Sequence, residues 1–349
     1  MKNIDHLFIK SDSTIRLALK KMDQERTKLL IVGSLKRFEG LISIGDLQRA
    51  IIKNIDLNVP IGEIQRKDII VAKEEESKEK IKTLMLKIRA EFMPVVNPKG
   101  EITEIIFWED LIQSEKLPPA LKINLPVVIM AGGFGTRLKP ITNVLPKPLI
   151  PIGEKPIVEH IIDRFVHVGC NEFLFSVNYK SEFIKYYFDS LEHPLYSVSY
   201  FQEEKPLGTA GSLHLLKGRI NSTFFVSNCD IIVDQDYSEI YRYHKNNNNE
   251  LTMVAALKHY KIPYGTIETE SDGLLKKLEE KPELTFKINA GLYILEPHLL
   301  NLIPENEFFH ITDLIEKIQY NKGKVGVFPV SEKSWRDIGD WDEYLKNKE

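Results

Sequence analysis

Three glycines within four positions, followed by two basic side chains, form the densest group of residues that could do chemistry. The glycines are Gly132, Gly133 and Gly135. They follow the apolar run Val127–Met130 and let backbone N–H groups approach an anion closely. Arg137 can hold a phosphate with two parallel hydrogen bonds, and Lys147 adds a second positive charge. The segment predicts a phosphate-binding loop at the end of a buried strand, before a helix or turn.

Other glycine-loop motifs do not fit this segment. A P-loop requires Gly-x-x-x-x-Gly-Lys-Ser/Thr, and the sequence contains no such run. A dinucleotide-binding fingerprint requires Gly-x-Gly-x-x-Gly, but Leu138 stands where the third glycine belongs. An NAD-linked oxidoreductase acting on sugar nucleotides is therefore the weaker alternative.

The complete string is more specific than its glycines. It reads Gly-Gly-x-Gly-Thr-Arg-Leu over residues 132–138 and continues to Pro-Lys-Pro at 146–148. In this form it resembles the signature of the sugar-1-phosphate nucleotidyltransferases, and the resemblance extends over residues 125–349. It implies that Thr136 and the three glycines bind a nucleoside triphosphate, and that Arg137 and Lys147 are catalytic.

A second glycine-containing loop follows in the family's order. Residues 206–211, Pro-Leu-Gly-Thr-Ala-Gly, resemble the loop that packs against the base and the ribose. The resemblance implies nucleotide binding by Gly208 and Thr209, with Gly208 allowing close approach. A plain turn is the alternative interpretation.

Two aspartates are the candidate metal ligands. Asp230 follows an apolar run, and Asp337 lies in Trp-Arg-Asp-Ile-Gly at 335–339. The resemblance implies that both are catalytic and bind Mg²⁺, although an aspartate after a strand often caps a helix instead. Carboxylates and phosphate oxygens suit Mg²⁺, and no cluster of cysteine and histidine suggests zinc. The two positions are 107 residues apart, so the fold must bring them together.

Cys229 departs from the family pattern, since many relatives have glycine immediately before the metal-binding aspartate. The substitution adds bulk and sulfur beside the predicted site. The reaction needs no covalent nucleophile, and no evident base accompanies this residue, so we do not expect a catalytic cysteine.

The sugar phosphate has its own candidate residues. The resemblance implies that Glu280 faces sugar hydroxyls, Lys281 faces the sugar's phosphate, and Asn289 lines the pocket. Gly265, after Tyr264, matches a further pocket position less specifically. An exposed charged turn at 279–282 and a simple turn at 264–265 are the alternatives.

The N-terminal part of the chain contains a weak internal repeat. Each copy predicts a helix, two strands and a second helix, with the first helices over residues 14–24 and 78–89. Asp46 and Asp110 lie 64 residues apart at equivalent points, each predicted in the first turn of a helix. One copy could not bury its sheet face alone, so the pattern favours a single paired module.

This layout resembles a tandem cystathionine-β-synthase (CBS) domain pair over residues 1–115. The resemblance implies a regulatory nucleotide site, with Ser43 at the phosphate and Asp46 at the ribose. The second copy departs from the pattern, because Phe107 stands at the position of the hydroxyl. A structural or dimerising module without a ligand is the alternative, and the CBS resemblance implies a homodimer or higher homo-oligomer.

Strands and helices alternate after residue 123, which predicts an α/β domain with ligands at the carboxyl ends of its strands. The predicted fold is a Rossmann-like, mixed and mostly parallel sheet over 123–349. A smaller α+β CBS pair over 1–117 precedes it. The proline-containing stretch 117–122 is the predicted linker.

Composition narrows the setting of the protein. The 349 residues have a net charge of −3, which gives no reason to expect nucleic acid as a partner. Two cysteines suit a reducing cytoplasm, and the start of the sequence does not resemble a secretory signal. No run of apolar residues is long enough for a membrane span, so we expect a cytoplasmic protein without a membrane partner.

The resulting functional hypothesis is transfer of a nucleotidyl group from a nucleoside triphosphate to a sugar 1-phosphate. GTP is the leading candidate, with UTP, dTTP and CTP as alternatives. The combination with a CBS pair resembles bacterial guanylyltransferases that use glucosamine 1-phosphate for nonulosonic acid synthesis. An adenine or guanine nucleotide is the candidate regulatory ligand. A non-catalytic, nucleotide-sensing regulatory subunit is the alternative from another class.

Overall fold

The chain forms two compact units, Met1–Ala120 and Leu121–Glu349. The computed structural model describes residues 4–66, 69–88, 90–111, 121–191, 195–339 and 341–346. Most of the predicted linker, residues 117–120, lies outside the described residues.

The first unit consists of two copies of one small α+β arrangement. Its elements are β1 (Phe8–Ile9), α1 (Ile15–Glu25), β2 (Leu29–Ser34), β3 (Arg37–Ser43), α2 (Ile44–Ile52), α3 (Ile61–Ile64), β4 (Ala72–Lys73), α4 (Lys78–Ile88), β5 (Phe92–Val96), β6 (Ile102–Phe107) and α5 (Trp108–Leu111). The strands form two three-stranded sheets, β1-β2-β3 and β4-β5-β6. In each sheet the first pair is parallel and the second antiparallel.

The internal repeat predicted from the sequence is confirmed, and its period is visible in the strand register. Phe8 faces Ile31 in the first sheet, and Ala72 faces Val95 in the second, each position shifted by 64 residues. Asp46 and Asp110 are each the third residue of a helix, α2 and α5.

The two copies share one core, because each alone would leave a sheet face in water. Apolar side chains from both copies pack in a single cluster, including Ile31 from one and Phe92 from the other. The equivalent residues Thr27 and Glu91 contact each other, with Thr27 Oγ1 donating to Glu91 Oε2 at 3.1 Å.

The second unit contains the larger sheet. Its elements are β7 (Val127–Met130), β8 (Pro151–Ile152), β9 (Lys155–Pro156), α6 (Ile157–His167), β10 (Glu172–Val177), α7 (Ser181–Asp189), β11 (Ser197–Gln202), β12 (Phe224–Asn228), β13 (Ile231–Val233), α8 (Tyr237–Asn246), β14 (Leu251–Lys261), β15 (Thr266–Thr269), β16 (Leu275–Glu279), β17 (Glu283–Leu295), α9 (Ile311–Tyr320), β18 (Val325–Val330), β19 (Trp335–Asp337) and α10 (Trp341–Lys346). Seven strands form one sheet in the order β11-β10-β7-β12-β17-β14-β18.

The topology of this sheet confirms the predicted mixed, mostly parallel α/β architecture. Only β17 runs against its neighbours β12 and β14, and the remaining pairings are parallel. The central strand β7 is fully buried at Val127, Val128 and Ile129, so its carboxyl end has a fixed position between β10 and β12. Among the described residues, no helix is both long and apolar enough to cross a membrane.

Candidate active site

The glycine loop begins where β7 ends, at Met130. An α-helix does not follow it: Thr136–Leu138 forms a single 3-10 turn. The positive end of a long helix dipole is therefore missing, and the expectation of a helix end at this position is wrong. Anion binding at this loop has to rely on backbone N–H groups and on the basic side chains.

The three loop glycines have different surroundings. A Cβ atom on Gly132 would lie 2.7 Å from Glu203 Oε1, and one on Gly135, where φ is +63°, would lie 2.7 Å from Thr142 Cγ2. A Cβ atom on Gly133 would meet nothing within 4 Å. Packing within the protein therefore requires glycine at two positions, and only Gly133 faces open space.

Asp230 and Asp337 are brought together by a short antiparallel ladder. Strand β13 starts directly after Asp230 and pairs with β19, so that Ile231 faces Asp337. The backbone N–H of Ile338 also donates to the carbonyl of Asp230 at 2.9 Å. The local fold thus closes the 107-residue gap in sequence.

Arg137 meets the two aspartates at one point beside Gly339. A Cβ atom on Gly339 would lie 2.6 Å from Asp337 Oδ1, 2.9 Å from Arg137 Nη2 and 3.0 Å from Asp230 Oδ2. Arg137 is exposed, and within the described part of the chain its guanidinium has no hydrogen bond or ion pair. It is a cation close to the cluster and still available to an anion.

Lys147 completes the charged cluster by forming an ion pair with Asp230. Both side chains are nearly buried, with 12% exposure for the lysine and 11% for the aspartate. Burial, and then the neighbouring charge of Asp230, raise the pKa of Asp337, while Lys147 and Arg137 oppose the rise. Two carboxylates held this close favour a further positive charge between or beside them.

A divalent cation is one such charge. Among the described residues, no group of three or more histidine, cysteine, aspartate or glutamate side chains is placed to hold a metal ion. Asp230 and Asp337 therefore supply two oxygen donors at most from this set of side chains. Mg²⁺ commonly binds through one or two carboxylates and takes its other ligands from phosphate and water, which fits this pair.

Cys229 does not supply a nucleophile. Its side chain is buried, and burial together with the charge of Asp230 raises the pKa of the thiol to about 12. The thiol therefore stays protonated near neutral pH.

The 206–211 loop packs on the segment before α9, which changes the interpretation of two predicted residues. A Cβ atom on Gly208, where φ is +82°, would lie 2.7 Å from the carbonyl oxygen of Phe309, so the close approach at this glycine is to protein backbone. The hydroxyl of Thr209 accepts a hydrogen bond from the N–H of Ile311 at 3.0 Å. Both residues hold this loop in place, whatever they contribute to a nucleotide.

Glu203 is a residue that the sequence analysis missed. It is 5% exposed and lies between the two glycine-containing loops. Its Oε1 accepts from Ser176 Oγ at 2.6 Å, and its Oε2 accepts from the N–H of Leu207 at 3.0 Å. Its position directly after the apolar strand β11 was the only available signal, and its nearness to Gly132 is a long-range contact.

The predicted sugar residues occupy a two-stranded extension of the sheet. Gly265 and Glu280 are adjacent there, since a Cβ atom on the glycine would lie 3.0 Å from Glu280 Oε2. Lys281 has a positive φ of 47°, and within the described residues neither Glu280 nor Lys281 has a hydrogen bond or an ion pair. Asn289 lies further along β17 and forms hydrogen bonds with the hydroxyl of Tyr293.

The predicted regulatory residues of the first unit form a helix cap. Ser43 and Asp46 make a capping box at the start of α2. The Asp46 carboxylate, 1% exposed, also pairs with Arg49 and with Arg66, whose Nε lies 2.8 Å from Oδ1. A ribose can reach this carboxylate only by displacing one of the arginines.

Comparison with known proteins agrees with this geometry. The profile of the family described as nucleotidyl transferase matches residues 126–349. The chain is 33% identical to mannose-1-phosphate guanylyltransferase 1 of Arabidopsis thaliana over 229 residues, which are 63% of each chain. It is 36% identical over 185 residues to the mannose-1-phosphate guanylyltransferase catalytic subunit beta of Dictyostelium discoideum, covering 51% of this chain and 52% of that one. The match thus spans less than two thirds of these curated relatives.

A solved structure has the same core. The crystal structure of HddC from Yersinia pseudotuberculosis superposes with a TM-score of 0.50 at 26% identity, covering 64% of this chain and 98% of that chain. A second crystal structure of the same protein is complexed with GMP-PN. With the family profile matching well over half of its length, this chain belongs to the nucleotidyl transferase family.

Proposed function

We propose that the protein transfers a guanylyl group from GTP to a sugar 1-phosphate, giving a GDP-sugar and pyrophosphate. The observation that carries the proposal is the convergence of Arg137, Asp230 and Asp337 beside Gly339. Lys147 joins them through its ion pair with Asp230. Family membership and the guanylyltransferase names of the relatives support the same reaction.

The reaction would be an in-line displacement at phosphorus. An oxygen of the sugar phosphate attacks the α-phosphorus, a new P–O bond forms, and the bond to the β-phosphate oxygen breaks to release pyrophosphate. The attacking oxygen is already ionised near neutral pH, so no general base is required. The protein's task is to hold two anions together and in line, which positive groups in fixed positions accomplish.

Each charged residue would have a defined part in this task. Arg137, exposed and without a protein partner among the described residues, would bind the triphosphate and stabilise the departing pyrophosphate. Lys147 and Lys281 would neutralise the α-phosphate and the sugar phosphate. Asp230 and Asp337 would hold Mg²⁺, which when bound supplies positive charge next to phosphate oxygens.

The base is the finer part of the proposal. The relatives' names favour guanine. Glu203 offers a chemical reason, because a carboxylate beside Gly132 can accept hydrogen bonds from both N1–H and the 2-amino group of guanine. Uracil and thymine have a single N–H on the corresponding edge. UTP, dTTP and CTP remain the alternatives.

The sugar has two candidates. The relatives' names point to mannose 1-phosphate, whereas the combination with an N-terminal CBS-like pair favours glucosamine 1-phosphate in bacterial glycan synthesis. Glu280 and Asn289 are the residues that would distinguish their hydroxyl and amino groups.

A substrate panel tests the function. The full-length protein with Mg²⁺ would be incubated with each of the four triphosphates and with hexose or hexosamine 1-phosphates, and pyrophosphate release measured. We expect release with GTP and with one of the two named sugars. Release with another triphosphate would correct the base, and no release with any pair would favour the non-catalytic regulatory alternative.

The first unit is proposed to regulate this activity as a CBS pair. A nucleotide would bind near Ser43 and Asp46 after displacing Arg49 or Arg66, and the protein would form a homodimer. The measurement is the transferase rate of the full chain with and without AMP, ADP, ATP, GMP or GDP, with light scattering for the oligomeric state. An unchanged rate and a monomer would contradict both parts.

A further inference from the structure

Lys180 lies in an unusual backbone conformation directly beside the predicted phosphate loop. It follows β10, precedes the first residue of α7, and has φ +55° and ψ +34°, in the left-handed region. A non-glycine residue there is uncommon and costs about 1 kcal/mol or more. Such residues persist only where the surroundings hold them, and they concentrate at functional sites.

The side chain of Lys180 is attached to the loop region by its ammonium group. Nζ donates to the carbonyl oxygen of Thr142 at 3.1 Å and to that of Asn143 at 2.6 Å. The same ammonium lies 5.2 Å from the ring centre of Tyr179 and 5.9 Å from that of Phe183. Two carbonyls and two rings therefore fix one charged group.

The two residues before Lys180 hold the other end of the loop. The ring of Tyr179 packs on that of Phe134, with centroids 5.2 Å apart. Asn178 Nδ2 donates to the carbonyl oxygen of Glu203 at 3.0 Å, and Asn178 Cβ lies 3.4 Å from the position of a Cβ on Gly132. Three consecutive residues thus contact the segment at 132–134 and again at 142–143.

Arg137 lies between these two contacts. Within the segment, the hydroxyl of Thr142 donates to the carbonyl of Gly135 at 2.9 Å, which ties the glycine turn to the part that Lys180 holds. Because Arg137 itself has no bond to the rest of the described protein, its position depends on the backbone on either side of it. Holding both sides restricts where the guanidinium can go.

We propose that Lys180 is a positioning residue: it fixes the segment 132–143, and so holds Arg137 and the loop N–H groups in place for the triphosphate. The inference rests on the proposed function for its effect on catalysis. It does not rest on it for the effect on the loop, which can be measured without substrate.

The variants separate the side chain from the backbone. Asparagine and glycine both tolerate the left-handed region, so K180N and K180G remove the ammonium without adding strain. We expect their melting temperatures to equal or exceed that of the wild type. K180R keeps a charged donor, and K185N removes a lysine of α7 that pairs only with the exposed Glu182, so both serve as controls.

Two measurements test the proposal on the full-length protein. Hydrogen exchange of the amides at 132–143, without substrate, should be about tenfold faster in K180N and K180G than in the wild type, K180R and K185N. The KM for GTP should rise about tenfold in K180N and K180G, with a smaller change in kcat, and K180R should restore most of it.

The outcomes distinguish this inference from the proposed function. Wild-type exchange at 132–143 in K180N would overturn the positioning role, whether or not the protein is active. Faster exchange with no pyrophosphate release from the wild type would leave the loop anchor standing and remove the proposed function. Faster exchange with an unchanged KM in an active protein would overturn the catalytic part of the inference.

Discussion

Lys147 and Asp230 form an ion pair that joins two segments 83 residues apart, and neither side chain is more than 12% exposed. The pair places a positive charge beside the carboxylate that also lies against Asp337. Arg137, on the same side of the cluster, is exposed instead. The two cations therefore have different dependence on the rest of the protein.

This difference gives the first prediction. K147A should lower both the melting temperature and the turnover, because it leaves Asp230 nearly buried beside another carboxylate without its counter-charge; we expect a loss of about 1–3 kcal/mol. R137A should lower the rate of pyrophosphate release about a hundredfold with little change in melting temperature. Thermal unfolding and the release assay on both variants check this. Equal loss of stability in the two would contradict it.

The loop glycines give the second prediction. G208A should destabilise the protein by about 1–3 kcal/mol, because the methyl group would be strained at φ +82° and would press on the Phe309 carbonyl. G133A meets open space and should keep its stability while it weakens triphosphate binding. Urea unfolding and a binding measurement with GTP compare the two. A stable G208A with weak GTP binding would show that this glycine contacts the ligand after all.

The third prediction separates a structural from a binding role for Thr209. Its hydroxyl accepts from the first residue of α9, so T209V should lose about 1 kcal/mol of stability through the missing helix cap. We expect the KM for GTP to change less than about threefold once the measurement is made well below the melting temperature. T209S, which keeps the hydroxyl, is the matched control. A large KM change in T209V at full stability would return this residue to the nucleotide site.

The fourth prediction concerns acid stability at the opposite end of the sheet. Burial lowers the pKa of the fully buried His244. Burial by itself raises the pKa of Glu296, but hydrogen bonds from Lys245, His244 and Thr223 outweigh it, and the net pKa is lowered. Both groups hold their protons less tightly when folded than when unfolded. Stability should therefore fall as the pH drops, first below the ordinary histidine pKa of 6.5 and again below the ordinary glutamate pKa of 4.5.

The measurement is the free energy of unfolding at about pH 7.5 and at about pH 5.5. In that interval the loss should come mainly from His244, so H244Q should be less stable than the wild type at the higher pH and lose less on acidification. E296Q provides a second variant in case H244Q does not fold. A wild-type stability that rises toward pH 5.5 would contradict the assignment.

The sequence allowed the strand and helix alternation to be predicted because burial imposes a clear period on short segments. The 64-residue repeat could be predicted for the same reason, down to the third helical position of Asp46 and Asp110. The motif residues Asp230 and Asp337 could be named from their resemblance. Their meeting depends on the pairing of β13 with β19, which no local pattern encodes.

The remaining features depend on contacts between distant segments. The neighbour of Gly208 is the backbone of Phe309, and a backbone contact leaves no trace in residue types. Glu203 and Lys180 look like ordinary charged residues in the sequence. Their importance follows from what lies opposite them, the glycine loop in one case and the carbonyls of Thr142 and Asn143 in the other.

The most direct test of the central claim is the rate of pyrophosphate release by D230N with Mg²⁺, GTP and the preferred sugar 1-phosphate. D234N is the matched control, since that aspartate lies four positions further on and pairs with Arg164 away from the cluster. If a carboxylate shared with Asp337 organises the phosphates, D230N should be about a hundredfold slower or worse while D234N stays close to the wild type. A correctly folded D230N with near-normal turnover would contradict the account.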